Sequence, residues 1–251
     1  MTKTKKYEPT QNFIIFNNRT LYQIRALRDF NSVKKGNLGG YIESEKNLSH
    51  KGNCWVCENA RVFEDARVYG NAQVYGNAQV YGNARVYGNV LVYGNTHVYN
   101  RALVFGNVQV FEDAEVYGNA QISGNALVFG NAQVFEDTEV YGKAKVSGNV
   151  CVYGNARVYG HAQVYGNTLI SGNANVYGNA CVYGYAQVYG NTHIFENVHV
   201  YGNAQVYVSI DFNCDFDPYE SLKEILDYKE ILPTLLGINS GLDKMISERL
   251  K

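Results

Sequence analysis

The 251-residue chain carries 22 basic and 23 acidic side chains, which gives a formal net charge of −1 at pH 7. This balance provides no basic surface for nucleic acid or for an anionic membrane. No apolar run approaches the roughly 18 residues of a membrane span, and no apolar segment follows the basic start MTKTKKYEPTQ, so we expect a cytoplasmic protein.

Residues 1–50 are predicted to form a β cap on the repeats that follow. An apolar run at residues 13–16 and a strand-like run at 21–27 flank Asn17 and Asn18, a pair typical of a tight hairpin turn. Three glycines are predicted to mark turns after the hairpin: Gly36, Gly39 and Gly40.

Residues 56–211 read as 26 consecutive six-residue units without an insertion or a deletion, typified by Val-Tyr-Gly-Asn-Ala-Arg. Position one is Val or Ile throughout, and position five is mostly Ala. Across the unit boundary, Ala-x-Val-Tyr alternates inward and outward side chains, as a four-residue strand does. Gly-Asn dominates positions three and four and favours a corner, because both residues readily adopt positive φ. Three units, or 18 residues, then complete one coil around a narrow core of Val and Ala.

This pattern resembles the left-handed parallel β-helix of hexapeptide-repeat proteins. The resemblance implies an all-β, single-stranded left-handed helix shaped as a triangular prism, which we assign to residues 51–211. Many such proteins are trimeric acyltransferases, in which a catalytic histidine and a protruding loop build a cofactor cleft between subunits. The unbroken repeat of this chain leaves no such loop, and a smooth prism lacks the concave pocket that small-molecule chemistry needs.

The segment from Leu21 to Val62, which leads into the repeats, contains the motifs Asp29-Phe30-Asn31-x-Val33-Lys34-x-Gly36, Gly39-Gly40, Leu48-Ser49 and Gly52-Asn53-Cys54-Trp55. In these motifs the segment resembles the N-terminal portion of the YdcK-like bacterial hexapeptide-repeat proteins. The resemblance implies a left-handed β-helix and a transferase label that rests on fold analogy.

Residues 212–251 are predicted to form an α-helical cap on the last coil. Asp217 and Pro218 give a helix start signal, with Leu222, Ile225 and Leu226 at helical spacing. A second start follows at Ser240. Two helices here would cover the unpaired strand edges of the final coil.

Few residues are candidates for catalysis or metal binding. Side chains 18 residues apart should lie on adjacent strands, which places Cys181 beside His199 as a weak candidate for a nucleophile and its base. No carboxylate in that column would orient the imidazole, so the preferred interpretation is two spacer residues. We expect no metal site, because Cys54 of the single CxxC motif points inward, and no cofactor.

The same stacking rule applies to charged residues. His97 should stack on Glu115 and Glu139 on Arg157, and both pairs are interpreted as cross-strand charge pairs. The five cysteines are scattered along the chain and odd in number, so we expect reduced thiols.

Position two holds an aromatic ring in most units and should form a ladder on each side of the prism. The simplest interpretation is that stacked rings stabilise neighbouring strands. The functional hypothesis is that these ladders make the chain a non-catalytic scaffold or binding protein, with a protein, a second copy or a glycan as the compatible partner. An acyltransferase-like enzyme with a site between subunits is the alternative. The candidate binding residues are Tyr75, Tyr93, Phe111, Tyr81, Tyr99, Tyr117, Tyr141, Tyr159 and Tyr177.

Overall fold

The computed structural model describes residues 5–207, which form a parallel β-solenoid preceded by an antiparallel hairpin. Within this part of the chain every regular element is a strand, and no helix could cross a membrane. The predicted C-terminal helical cap, with its start signals at Asp217 and Ser240, lies outside the described residues.

Three sheets, built from successive coils, carry the solenoid. The first sheet contains β1 (Tyr7–Phe16), β2 (Arg19–Ala26), β3 (Leu38–Ile42), β5 (Arg61–Val62), β8 (Gln79–Val80), β11 (His97–Val98), β14 (Glu115–Val116), β17 (Gln133–Val134), β20 (Cys151–Val152), β23 (Leu169–Ile170), β26 (Gln187–Val188) and β29 (Gln205–Val206). The second contains β4 (Trp55–Val56), β7 (Gln73–Val74), β10 (Leu91–Val92), β13 (Gln109–Val110), β16 (Leu127–Val128), β19 (Lys145–Val146), β22 (Gln163–Val164), β25 (Cys181–Val182) and β28 (His199–Val200). The third contains β6 (Arg67–Val68), β9 (Arg85–Gly88), β12 (Leu103–Gly106), β15 (Gln121–Ile122), β18 (Glu139–Val140), β21 (Arg157–Val158), β24 (Asn175–Val176) and β27 (His193–Ile194).

Each solenoid strand from β4 onward pairs in parallel with a strand one coil away, as Leu91 does with Gln109. Most of these strands span two residues, shorter than the four predicted, and the flanking Ala and aromatic residues lie between the strand and the corners. The inward column of Val and Ile is buried throughout, and the Ala column packs against it. The core is therefore a narrow stack of small apolar side chains, as the repeat predicts.

The corners turn at position three, where the residue adopts positive φ. Gly124 has a φ of 71°, and a Cβ added there would lie 2.8 Å from the backbone nitrogen of Gly142 on the next coil. Glycine is favoured at such corners because it has neither the strain of this conformation nor the steric clash. Asparagine at position four is present for a different reason, which involves its side chain and is described below.

The N-terminal hairpin forms as predicted. Asn17 and Asn18 have φ values of 49° and 59° and join β1 to β2, which pair antiparallel. The prediction of turns at Gly39 and Gly40 is wrong, because both residues lie inside β3. A Cβ on Gly39 would lie 2.6 Å from Ile24, so glycine is needed there for close packing. Gly36 does occupy a turn, with a φ of 90°.

The hairpin joins the solenoid before residue 50. Tyr41 on β3 pairs in parallel with Arg61, and Leu48 makes a bridge to Val68. The partners in both pairs are further apart in sequence than partners within the repeat, so this junction does not follow the six-residue period. The first sheet is therefore continuous from the antiparallel hairpin into the parallel solenoid.

Candidate functional site

Aromatic rings at position two stack into a ladder on each sheet. Neighbouring ring centroids lie 4.7 to 5.5 Å apart, and the angles between ring planes range from 1° to 19°. The spacing follows from the parallel register, because strands in a sheet lie about 4.8 Å apart. We name these the first, second and third ladders, after the sheets that carry them.

The nine candidate binding residues fall into three groups, one on each ladder. The second ladder contains Tyr75, Tyr93 and Phe111. The first contains Tyr81, Tyr99 and Tyr117. The third contains Tyr141, Tyr159 and Tyr177. The structure therefore gives three separate strips rather than one continuous site.

Stacking leaves most ladder rings half-buried, and this determines which atoms a partner can reach. Burial raises the pKa of Tyr75, whose ring lies 4.9 Å from that of Tyr93. In a parallel stack each ring covers the face of its neighbour, so solvent meets mainly ring edges and phenol groups. A ligand that needs an open ring face cannot use the interior of a ladder.

A serine interrupts each ladder once and uncovers the neighbouring ring faces. The interruptions are at Ser171 on the first ladder, Ser147 on the second and Ser123 on the third. Among the described ring contacts none spans the gap from Phe129 to Tyr165, and Tyr165 is 40% exposed. A missing rung leaves roughly two strand spacings, about 10 Å, between the flanking rings.

Asparagine side chains at position four form a second kind of ladder along the corners. Asn71 donates to Asn89 at 2.9 Å, and Asn89 donates to Asn107 at 2.9 Å. The chain continues from Asn107 to Asn125 at 3.0 Å. Each amide donates to the next coil and accepts from the previous one, so these side chains stabilise the stack. The prediction that asparagine at position four adopts positive φ is wrong, because along the repeat positive φ occurs at position three. The hydrogen-bonded ladder was not predicted from the sequence.

The weak catalytic pair is adjacent in register but lacks the features of an activated nucleophile. Cys181 pairs with His199 across neighbouring strands. The Cys181 sulfur, however, contacts the backbone oxygen of Asn179 at 3.8 Å, and the His199 ring packs edge-on against Tyr183. Burial raises the pKa of the Cys181 thiol, which favours the unreactive protonated form.

One of the two predicted charge pairs is confirmed. Arg157 Nε lies 3.4 Å from the Glu139 carboxylate. His97 is in register with Glu115, but its Nε2 lies 3.1 Å from the Gln79 amide, so the prediction of a second charge pair is wrong.

A buried lysine lies beside a buried cysteine at the N-terminal end, and no sequence pattern indicated this contact. Lys6 Nζ donates to the Cys54 backbone oxygen at 2.7 Å and lies 3.2 Å from the Cys54 sulfur. Burial lowers the pKa of Lys6 and raises that of Cys54, so each group is shifted toward its neutral form. Cys54 is inward as predicted, and within residues 5–207 no group of three or more side chains could hold a metal ion.

Two grooves lie where residues 43–50 meet the first coils. The larger, about 560 Å³, contains Arg19 between the carboxylates of Glu43 and Glu64, at 2.8 and 3.2 Å, so its arginine is already paired. The other, about 450 Å³, is lined by residues 67–69 and Arg85 together with residues 45, 46 and 48–50. No feature of the sequence indicated either groove.

Comparison with known proteins identifies the repeat. The family model described as YdcK Beta solenoid repeat matches residues 66–81, 78–94, 84–100, 120–136 and 151–166. A curated relative, the "Uncharacterized acetyltransferase YdcK" of Escherichia coli (strain K12), is 47% identical over 47 residues. That match spans 18% of this chain and only 14% of the relative's length.

A solved structure, UDP-N-acetylglucosamine acyltransferase of Francisella novicida, aligns with 82% of this chain and 85% of its own. Its sequence identity is 14% and its TM-score is 0.43.

Proposed function

Because this chain is a YdcK-like β-solenoid repeat protein, we propose that it is a non-catalytic rod that binds a cytoplasmic protein along its aromatic ladders. The observation that carries the proposal is the stacking of rings in runs along the solenoid strands, as from Tyr75 through Phe129 on the second ladder. The strand register runs without an insertion from β4 to β29, so no loop interrupts these strips. A regular, rigid surface suits recognition of another macromolecule.

The chemistry of the exposed atoms favours a protein over a glycan. Sugars stack on open aromatic faces, but within a ladder these faces are covered by neighbouring rings. The accessible ring edges and phenol hydroxyls instead offer apolar contact and hydrogen bonds, the combination that makes tyrosine frequent in protein interfaces. Tyr165, beside the Ser147 gap, adds an exposed ring face at which a partner side chain can insert.

The second ladder provides the sharpest test. Replacing Tyr75, Tyr93 and Phe111 with serine should leave the fold intact, because Ser123, Ser147 and Ser171 already occupy this position. The matched control replaces Tyr141, Tyr159 and Tyr177 of the third ladder. Proteins captured by each immobilised variant would be quantified by mass spectrometry, with circular dichroism confirming the fold. We expect one triple variant to lose a specific partner that the other retains.

Retention of every partner by both folded variants would rule out these ladder segments as the contact. An affinity that depends on a single ladder would also identify the side of the rod that is used.

An acyltransferase-like function is the second candidate, and the name of the curated relative favours it. In this case the catalytic cleft would form between subunits, as the resemblance to hexapeptide-repeat enzymes implies. Native mass spectrometry of the full chain and calorimetric titration with acetyl-CoA test this candidate together. A trimer that binds acetyl-CoA and transfers its acetyl group would replace the scaffold proposal, whereas a particle with no affinity for acetyl-CoA would eliminate this alternative.

We also propose that the coil is left-handed with a triangular section, as the family resemblance implies. A crystal structure would test this directly, and a right-handed coil would overturn it.

A further inference from the structure

Two arginines with like charge occupy neighbouring strands at the start of the third sheet. Arg67 on β6 is directly opposite Arg85 on β9, and both side chains are exposed. Like charges in this position destabilise a sheet. Among the described residues neither arginine forms an ion pair, in contrast to Arg157 in the same column, which contacts Glu139. The fold thus places two like charges on adjacent strands, and no carboxylate of the described residues is paired with either.

These arginines line the 450 Å³ groove, whose opposite wall is the segment 45–50. Asn47 fixes this wall: its side-chain amide donates to the backbone oxygens of Glu64 and Ala66 at 2.9 and 3.0 Å. The groove is cationic because Lys46, Arg67 and Arg85 face one carboxylate, Glu45. That carboxylate is already bound to the Lys5 ammonium at 2.7 Å.

An aromatic ring that lines the same groove stacks on another ring on one side only. Tyr69 is the first rung of the third ladder and stacks on Tyr87 at 4.7 Å. The residue one coil earlier is Lys51, and among the described contacts no other ring stacks on Tyr69. Burial and Tyr87 raise the pKa of Tyr69, while the positive charges of Arg85 and Arg67 oppose this rise.

We propose that this groove binds a phosphate monoester that carries an aromatic ring, such as a mononucleotide. Two guanidinium groups that line one groove can donate bidentate hydrogen bonds to phosphate oxygens, and the negative charge of the phosphate also relieves their mutual repulsion. The planar part of the ligand stacks on the Tyr69 ring that lines the groove, on the side opposite Tyr87, as bases stack on aromatic side chains. His50, which lines the groove and stacks on Tyr7 at 4.3 Å, forms part of the wall near the bound phosphate.

Titration calorimetry on the full-length protein tests this site with adenosine 5′-monophosphate, inorganic phosphate and adenosine as probes. The informative variants are the double substitution Arg67→Gln with Arg85→Gln, and Tyr69→Ser. Arg157→Gln is the matched control for an arginine of the same column. Tyr153→Ser is the control for the ring, because among the described contacts Tyr153 also stacks on one side only, against Phe135. Thermal melting in the presence of each probe gives an independent readout.

We expect the monophosphate to bind more tightly than phosphate, and adenosine to bind weakest. The double arginine variant should lose about tenfold or more in affinity for both phosphate-containing probes, since bonds to charged groups are the strong ones. Tyr69→Ser should reduce only the affinity for the monophosphate, and both controls should bind as the wild type does. Absence of saturable binding by the wild-type protein, or unchanged affinity in the folded double arginine variant, would overturn the proposal.

Discussion

Glutamate replaces glycine at several corners and compensates for the strain of this substitution with a hydrogen bond. Glu58, Glu64 and Glu136 have φ values of 58°, 59° and 60°. Such a conformation costs a non-glycine residue roughly 1 to 2 kcal/mol. The three carboxylates accept hydrogen bonds at 2.7 to 2.8 Å from backbone N–H groups on the next coil. Charge-assisted bonds of this kind contribute enough to offset the strain.

The inward register can be tested by one pair of aspartate substitutions. Val128 is 0% exposed, whereas Gln133 lies on the outer side of β17. Val128→Asp should bury an unpaired carboxylate and lower the free energy of unfolding by several kcal/mol, while Gln133→Asp should cost less than about 1 kcal/mol. Chemical denaturation of both variants measures the difference. Equal losses would mean that the assigned register is incorrect.

At the scale of elements, the ladders link the stability of the solenoid to alkaline pH. Burial raises the pKa of Tyr75, Tyr93 and Tyr159 above the ordinary value of 10.0. In the unfolded chain these phenols ionise near that value, so above it the folded state binds more protons than the unfolded state. The contribution of these tyrosines to the free energy of unfolding is then fully present below pH 10.0. It is lost as pH rises through the raised pKa values of the folded state.

We therefore expect the denaturation midpoint to fall as pH increases above 10.0. A variant with Tyr75→Phe, Tyr93→Phe and Tyr159→Phe should show a shallower decline, because phenylalanine keeps the stack but cannot ionise. Cys57, whose pKa is raised by burial and by Glu58 to about 11, contributes in the same direction and remains in both proteins. Identical pH profiles for the two proteins would exclude these three tyrosines as the cause.

For the whole molecule, the constant parallel register means that each coil contacts mainly its two neighbours. Stability should then approximate a sum of coil and interface contributions, as in other repeat proteins. Deletion of one complete coil, residues 119–136, joins Gly118 to Asp137 and keeps every column in phase. We expect this variant to fold cooperatively into a shorter solenoid.

Deletion of residues 119–133 is the matched control, because it removes a similar length of chain but not a whole number of units. It joins Gly118 to Val134 and puts the repeat out of phase by half a unit, which moves inward valines to corner positions. This variant should melt at a much lower temperature or fail to fold, as judged by circular dichroism. If the two deletions were equally stable, closure of each coil after three units would not govern the fold.

The solenoid could be predicted from the sequence because every decisive signal is local. The buried Val column, the Gly corners and the Asn17-Asn18 hairpin each depend on the preferences of a few neighbouring residues, and the constant period carries that information along the chain. The stacking of position-two rings then follows from parallel register.

Contacts that do not follow the six-residue repeat could be identified only from the tertiary structure. The pairing of Tyr41 with Arg61, the contact of Lys6 with Cys54 and the groove at Arg67 join segments that no repeat relates. Register places His97 between Gln79 and Glu115, and only the side-chain geometry decides that His97 contacts Gln79. Such contacts arise from packing between residues distant in sequence, and a local pattern carries no information about them.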